Sequence, residues 1–328
     1  MDNKSKLLDE EGRLFLDTSR PIVLNESGIK VKDKSYQIRQ SDLETVELLG
    51  MGSYGTVYKA KHVPTGTWMA LKIIPLEVSK TGIKQVLSEL EVLSLNRSPY
   101  IIDFYGAFYS DGIVSICLEY MDEHTLESII KRLDYSTRRP TEEFIIAVCY
   151  SVLNGLKSLR SNFNMVHRDI KPSNILFNSK GNCKICDFGI SGHLVQSVAK
   201  TYIGSPTYMA PERLSSQHSH YGVLADVWSL GVCIFELCTG SPPYPSAKYP
   251  SVFDHLLAII YNSPTRLDSN LYSEQLCEFV FACLQSEPSF RINIDQCLSH
   301  SLFSNLNACE NADSQCQNSI KSFFRLLN

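Results

Sequence analysis

The most informative part of this 328-residue sequence reads His167-Arg168-Asp169-Ile170-Lys171-Pro172-Ser173-Asn174. Asp187-Phe188-Gly189 follows, 18 residues after Asp169, and Ala210-Pro211-Glu212 comes later along the chain. Any one of these acids, taken alone, is more often a helix cap or a surface carboxylate than a reactive group. Their meaning therefore depends on what the rest of the chain supplies.

A glycine-rich turn lies upstream, at Gly50-Met51-Gly52-Ser53-Tyr54-Gly55, and it fits the pattern G-x-G-x-x-G. Two folds use this pattern, and in a dinucleotide-binding unit the glycines open a helix. Here the β-branched and aromatic run Thr56-Val57-Tyr58-Lys59-Ala60 follows, which favours a strand. The pattern predicts a hairpin whose tip can place backbone amides near phosphate oxygens. An ordinary glycine hairpin is the alternative if the turn is taken alone.

The next strand and a helix after it supply a charged pair. Trp68–Ile74 reads as a strand with Ala70 and Lys72 on one face, because side chains alternate along a strand. Ala70 leaves room for a flat base, and Lys72 can reach phosphates. Helical spacing over residues 82–95 places Glu89 on an apolar face, where a carboxylate needs a cation. Lys72 is the obvious candidate, and a solvated Glu89 at the helix edge is the alternative.

Taken together and in this order, these residues match the set of sequence motifs that is typical of protein kinases. The sequence resembles the eukaryotic protein kinases over residues 43–303. The resemblance implies an α+β, two-lobed protein kinase fold, with a small, mainly β N-lobe carrying one helix (43–121) and a large, mainly α C-lobe (122–303). Residues 1–42 read as a flexible polar arm, and residues 304–328 as a polar C-terminal tail that ends in an apolar cluster.

The resemblance implies ATP and Mg²⁺ as cofactors and gives the charged residues roles in phosphoryl transfer. Asp169 would accept the proton of a substrate hydroxyl, and Lys171 would stabilise the transferred group as charge develops. Lys72 would hold the α- and β-phosphates, and Glu89 would position Lys72.

The remaining site residues also follow from the resemblance. Asn174 and Asp187 would give Mg²⁺ the oxygen ligands that it prefers. Asp226 looks like the buried helix acid that braces the catalytic loop, and Arg291 looks like the partner of Glu212. The implied nucleotide-binding residues are Leu49, Gly50, Gly52, Ser53, Gly55, Val57, Ala70, Lys72, Leu118, Glu119, Met121 and Asn174.

The segment between Asp187 and Ala210 narrows the resemblance. Ser197-Val198-Ala199-Lys200-Thr201 is similar to the activation segment of MAP kinase kinases. The sequence of Asn96–Phe108 is also similar to that family. This implies transfer of the ATP γ-phosphate to a Thr and a Tyr in the activation loop of a downstream MAP kinase. It also implies that an upstream MAP kinase kinase kinase phosphorylates Ser197 and Thr201.

Finer and competing interpretations stay open at this point. The sequence of Tyr249–Ile260 is most similar to that of MAP kinase kinases from stress pathways, particularly the fungal osmoregulatory types. A Ser/Thr kinase of a related upstream group is one alternative. A pseudokinase that scaffolds other kinases is another, although Lys72, Asp169 and Asp187 are all present.

Composition argues against other classes of protein, such as nucleic-acid-binding and membrane proteins. With 31 Lys+Arg against 35 Asp+Glu, the net charge of −4 offers no general basic surface for nucleic acid or acidic lipid. No apolar stretch approaches the roughly 20 residues that cross a bilayer. No signal peptide is recognisable either, so we expect a cytosolic or nuclear protein. In those compartments the 11 cysteines are expected to be reduced. Cys183 and Cys186 form a lone C-x-x-C, and we expect both to pack in or beside a strand.

Overall fold

The computed structural model describes residues 13–14, 22–23, 28–31, 34–52, 55–75, 90, 92–110, 113–187, 206–215 and 222–327. The chain divides into two compact units. Unit 1 comprises Met1–Arg97 and Ile102–Met121, and unit 2 comprises Ser98–Ile101 and Asp122–Asn328. None of the helices in these described ranges is both long and apolar enough to cross a membrane.

Two short antiparallel hairpins lie within the segment predicted as a flexible arm. Strand β1 (Arg13–Leu14) pairs with β2 (Ile22–Val23), and β3 (Gly28–Val31) pairs with β4 (Lys34–Gln37). Ile38 follows β4 and is buried in the main core of unit 1. The end of the predicted arm therefore belongs to the packing of unit 1.

A five-stranded antiparallel sheet forms the centre of unit 1. Its strands are β5 (Leu43–Gly52), β6 (Gly55–His62), β7 (Thr67–Pro75), β8 (Phe104–Ser110) and β9 (Ile113–Glu119). Their order across the sheet is β5-β6-β7-β9-β8. One face carries an apolar cluster of Ala60, Met69, Leu71 and Cys117 around Ile38. These alternate positions along the strands confirm the predicted period of two.

Two local predictions for unit 1 concern the turn after β6, where Pro64-Thr65-Gly66 is a turn signal, and the helix after β7. Gly66 adopts a φ of +72° and donates its N–H to the carbonyl of His62 at 2.8 Å, so the predicted turn is present. Helix α1 is seen as helical residues 90 and 92–95. The rest of the predicted helix, including Glu89, lies outside the described residues.

Unit 2 is mainly helical. Its helices are α2 (Leu126–Arg132), α3 (Glu142–Phe163), α4 (Pro211–Leu214), α5 (Leu224–Thr239), α6 (Val252–Tyr261), α7 (Glu274–Cys283), α8 (Ile294–Leu298), α9 (Ser304–Asn307) and α10 (Ala312–Leu327). A small antiparallel hairpin joins β10 (Ile175–Phe177) to β11 (Cys183–Ile185). Apolar residues at helical intervals predict three helices, over Glu142–Leu159, Ala225–Leu237 and Glu274–Leu284, and these are present as α3, α5 and α7.

Helix α3 forms the centre of unit 2. Thr141 caps its N-terminus by accepting the N–H of Phe144, and Asn164 ends it in the left-handed conformation. Its apolar face, which includes Val148 and Val152, is fully buried. Periodicity finds this helix because the buried positions recur every three or four residues.

The C-terminal residues were expected to form a polar tail, but they include the 16-residue helix α10. Cys316, Ile320, Phe323 and Phe324 are buried. They recur at i, i+4, i+7 and i+8, the spacing of an amphipathic helix. The ring of Phe323 stacks on that of Phe144 in α3, with 3.9 Å between their centroids.

Candidate active site

The glycine-rich turn forms the tip of a hairpin, as predicted, with Gly52 paired to Gly55. Gly55 has a φ of +151°, and a Cβ there would lie 2.2 Å from the backbone oxygen of Ile73. Only glycine fits this position. At Gly50, by contrast, a Cβ would meet nothing within 4 Å. Because the glycines join two strands and open no helix, the dinucleotide-binding alternative is excluded; Ser53 lies outside the described residues.

We expect Gly55→Ala to destabilise unit 1 and to weaken the ATP binding that the resemblance to protein kinases implies. The added methyl would force the backbone of β7 away next to Lys72, at a cost of about 1–3 kcal/mol beyond the strain of the backbone angle. Thermal unfolding and calorimetric titration with ATP measure the two effects. Gly66→Ala is the control, because Gly66 also has a positive φ but has open space around it. Equal stability of the two variants would contradict the prediction.

The sheet brings four predicted nucleotide-binding residues to one face. Val57 pairs directly with Lys72, and Ala70 pairs with Leu118. Directly paired residues share a face, as do residues two apart on one strand. This face is opposite the apolar cluster of unit 1. Lys72 is only 5% exposed, and it shares this face of the sheet with a small residue and apolar residues, which suits a base and its phosphates.

The segment predicted to bind adenine lies at the end of β9 and directly after it. The N–H of Glu119 donates to the carbonyl of Asp103 at 2.9 Å, which fixes the end of the strand. Met121 is buried, and its amide donates to no backbone carbonyl within the described part of the chain. Leu49, expected to touch the nucleotide from β5, is 42% exposed. Glu89, the predicted partner of Lys72, lies outside the described residues.

Lys59 makes two cation–π contacts that the sequence interpretation did not predict. Its ammonium lies 4.8 Å from the ring centroid of Trp68 and 4.8 Å from that of Tyr120. These cation–π contacts join β6 and β7 to the residue between Glu119 and Met121. The sequence does not show these contacts, because Lys59 has the pattern of an ordinary charged residue on a strand.

Unit 2 places Asp169, Lys171 and Asn174 in mutual contact. The ammonium of Lys171 lies 2.8 Å from Asp169 Oδ2. Asn174 Nδ2 donates to the same carboxylate oxygen at 3.0 Å and to the Asp169 carbonyl at 2.8 Å. The Asp169 side chain remains 32% exposed. The loop therefore holds one carboxylate in a fixed orientation while leaving it accessible to a partner molecule.

Asp226 braces this loop, as predicted. Its two carboxylate oxygens accept the backbone N–H groups of His167 and Arg168, each at 2.8 Å. Arg168 has a φ of +70°, a conformation that costs a non-glycine residue about 1–2 kcal/mol. Burial raises the pKa of Asp226. The paired hydrogen bonds thus hold a strained backbone directly before Asp169.

The His167 ring links the loop to the residue before Asp187. Its Nδ1 accepts the N–H of Asp169 at 3.3 Å, so Nε2 carries the proton and donates to the carbonyl of Cys186 at 3.0 Å. Burial lowers the pKa of His167, which favours this neutral ring. The sequence interpretation gave His167 no role, because nothing in the local pattern shows that its ring is buried.

The hairpin of β10 and β11 brings the predicted metal ligand Asn174 next to Cys186, the residue before the other predicted ligand, Asp187. Ile175 pairs with Ile185, so the residues that flank this pair, Asn174 and Cys186, become neighbours; the Cys186 N–H donates to the Asn174 carbonyl at 3.1 Å. Asp187 follows with a φ of +60°. Because Asn174 Nδ2 donates to Asp169, its amide oxygen is the atom left to bind a cation. An amide and a carboxylate oxygen fit a hard ion such as Mg²⁺.

The cysteines of the C-x-x-C pair are buried, as expected. Cys183 opens β11, and Cys186 follows that strand directly. Burial raises the pKa of the Cys183 thiol, which suits a packed residue.

Arg291 and Glu212 form the predicted pair. The guanidinium makes two parallel hydrogen bonds to the carboxylate, at 2.7 and 2.9 Å. Its other three N–H groups donate to the backbone carbonyls of Leu224, Gln285 and Ser286. All five donors of this buried group are therefore used.

The predicted phosphorylation sites, Ser197 and Thr201, lie outside the described residues.

Comparison with known proteins agrees with this geometry. The protein kinase domain family matches residues 43–303. The chain is 43% identical over 284 residues to "Protein kinase wis1" of Schizosaccharomyces pombe, covering 85% of this chain and 46% of that protein. It is 42% identical over 297 residues to "MAP kinase kinase PBS2" of Saccharomyces cerevisiae, covering 89% and 43%.

A third relative is "Dual specificity mitogen-activated protein kinase kinase dSOR1" of Drosophila melanogaster, 40% identical over 292 residues, covering 82% of this chain and 72% of that protein. The chain spans less than half the length of wis1 and PBS2. The family match and the dSOR1 alignment each cover most of the chain. The chain belongs to the protein kinase family, and within that family it belongs with the MAP kinase kinases.

Proposed function

We propose that this chain is an ATP-dependent, dual-specificity MAP kinase kinase. It would transfer the γ-phosphate of ATP to a Thr and a Tyr in the activation loop of a MAP kinase. The observation that carries the proposal is the loop in which Lys171 and Asn174 hold the carboxylate of Asp169. The name of the dSOR1 relative supports the dual specificity.

Unit 1 would bind the nucleotide. Ala70 and Leu118, paired on one face of the sheet, would contact the flat base. Lys72 on the same face would bind the α- and β-phosphates, and the amides of the glycine-rich turn would cover them. Backbone groups at Glu119 and Met121 would hydrogen-bond to the adenine edge.

Unit 2 would carry out the transfer. Asp169 would accept the proton of the substrate hydroxyl, and Lys171, 2.8 Å from that carboxylate, would stabilise the transferred group. Asn174 and Asp187 would hold the metal ion. Bound MgATP supplies the transferable phosphoryl group with its charge partly neutralised. Because these residues are all present and Asp169 is accessible, a pseudokinase is the weaker hypothesis.

The decisive experiment is phosphotransfer to an inactive MAP kinase, read by mass spectrometry at the Thr and the Tyr of its activation loop. We expect phosphate on both residues with MgATP, and none with Asp169→Asn. Phosphate on other substrates alone would favour a related upstream Ser/Thr kinase. Normal pathway signalling by Asp169→Asn in cells would favour a scaffold.

The activation segment gives a second prediction. We expect the double variant Ser197→Ala with Thr201→Ala to bind ATP normally and to stay at its basal rate after incubation with an upstream MAP kinase kinase kinase. A dianionic phosphate at either residue would pair with a cation and order the segment. The control is Ser263→Ala with Thr265→Ala, two exposed hydroxyls outside the segment. Full activation of the first variant would refute the prediction.

The biological setting follows from the same proposal. A MAP kinase would be the downstream partner, and a MAP kinase kinase kinase the upstream one. The sequence supports a cytosolic or nuclear location and a stress-responsive pathway, and both remain predictions.

A further inference from the structure

Helix α10 lies beyond the residues that the protein kinase family matches, yet it contacts the hairpin that carries the predicted metal ligands. The family match ends at residue 303, and α10 spans Ala312–Leu327. Both α10 and the hairpin of β10 and β11 belong to unit 2. Two contacts join them directly, at the turn of the hairpin and at the end of β10, and Tyr100 links α10 to the end of β11.

The first contact is at the turn. Gly181 has a φ of +80°, and a Cβ there would lie 2.3 Å from the backbone oxygen of Gln317 in α10. Beside it, Gln317 Nε2 donates to Asn182 Oδ1 at 2.9 Å. The backbone of the turn is therefore packed directly against the backbone of the helix.

The second contact is aromatic and involves the end of β10. The Phe324 ring meets the edge of Phe177 with 5.6 Å between centroids. Phe323 stacks on Phe144 of α3, and Phe144 in turn lies 5.7 Å from Phe177. Phe177 is three residues after Asn174, so these rings fix the strand that follows that ligand.

Tyr100 forms the link to the end of β11. The Tyr100 hydroxyl donates to the carboxylate of Asp313 in the first turn of α10. The backbone carbonyl of Tyr100 accepts the N–H of Ile185 at 2.9 Å. Ile185 is two residues before Asp187, so Tyr100 joins α10 to the strand that leads into the second ligand.

We propose that α10 is a positioning element of the active site. By contacting the turn and β10 directly, and β11 through Tyr100, it sets Asn174 and Asp187 in the arrangement that a metal ion requires. Helix α10 itself would touch no reacting group. The inference rests on the metal-binding roles given to Asn174 and Asp187 in the proposed function.

The test is a single added methyl group, Gly181→Ala, in the full chain. It pushes the turn and α10 apart and leaves every side chain of the proposed site unchanged. We expect the gain in ATP affinity on adding Mg²⁺, measured by calorimetry, to fall about tenfold, as for other residues that orient metal ligands. ATP affinity without Mg²⁺ should stay at its wild-type value. Gly66→Ala is the matched control, with the same backbone strain in open space.

A second variant guards against misfolding of the first. Tyr100→Phe with Gln317→Ala removes two hydrogen bonds and creates no clash, and Asn318→Ala, exposed on the same helix, is its control. We expect the double variant to lose part of the Mg²⁺ effect and Asn318→Ala to lose none. A wild-type Mg²⁺ effect in both Gly181→Ala and the double variant overturns the proposal.

Asp187→Asn separates this inference from the proposed function. If that variant loses the Mg²⁺ effect while the α10 variants keep it, only the positioning role of α10 is overturned. If Asp187→Asn also keeps the full effect, the metal-binding role falls, and the inference falls with it.

Discussion

Asp169→Asn should reduce phosphoryl transfer by about a thousandfold or more and leave ATP binding unchanged. The amide has nearly the shape of the carboxylate, but it cannot accept the proton of an incoming hydroxyl. It also loses its charge-assisted contact with Lys171, which lies 2.8 Å from Oδ2. Single-turnover transfer to an inactive MAP kinase measures the rate, and calorimetry measures the ATP affinity.

Asp295→Asn is the matched control for this prediction. Asp295 also lies 2.8 Å from a lysine, Lys157, but both side chains are largely exposed. We expect the transfer rate of this variant to equal that of the wild type. A rate for Asp169→Asn within tenfold of the wild type would show that Asp169 is not the base.

Arg291→Met should lower the free energy of unfolding by about 3–5 kcal/mol, the typical cost of breaking a buried ion pair. The Arg291 side chain is 0% exposed and that of Glu212 is 10% exposed. Without the guanidinium, Glu212 keeps a charge that little water can reach, and three backbone carbonyls lose their donors. Chemical denaturation followed by circular dichroism measures the loss.

Lys157→Met breaks the exposed pair with Asp295, whose members are 50% and 79% exposed. Such pairs contribute less than about 1 kcal/mol, because water and salt screen them. The two variants together test whether burial, and not the mere presence of an ion pair, determines the effect. Equal losses would contradict this interpretation.

The sequence predicts much of unit 1, and helix α3 of unit 2, because the signals for them are local. The alternation that puts Ala70 and Lys72 on one face is a property of any strand. The glycine turn is recognisable from its flanking β-branched residues, and the buried positions of α3 recur with a helical period. Each of these signals lies within a single strand, turn or helix.

Other features depend on contacts between distant segments. His167 is unremarkable in the sequence, and its role depends on the Cys186 carbonyl, 19 residues away. The apolar positions of α10 have a clear helical spacing, but the residues between them are polar, so the sequence interpretation predicts a polar tail with an apolar cluster only at its end. The contact of Tyr100 with Asp313 joins residues 213 positions apart, which no local pattern can show.

The close approach of Gly55 to Ile73 has a mechanical consequence. With no Cβ between them, the tip of the glycine hairpin rests directly on the strand that bears Lys72. The glycine-rich turn and Lys72, which would contact the phosphates from two sides, would then move together when nucleotide binds or dissociates. A fluorophore on Met51, which is 79% exposed near that tip, would report displacement of both.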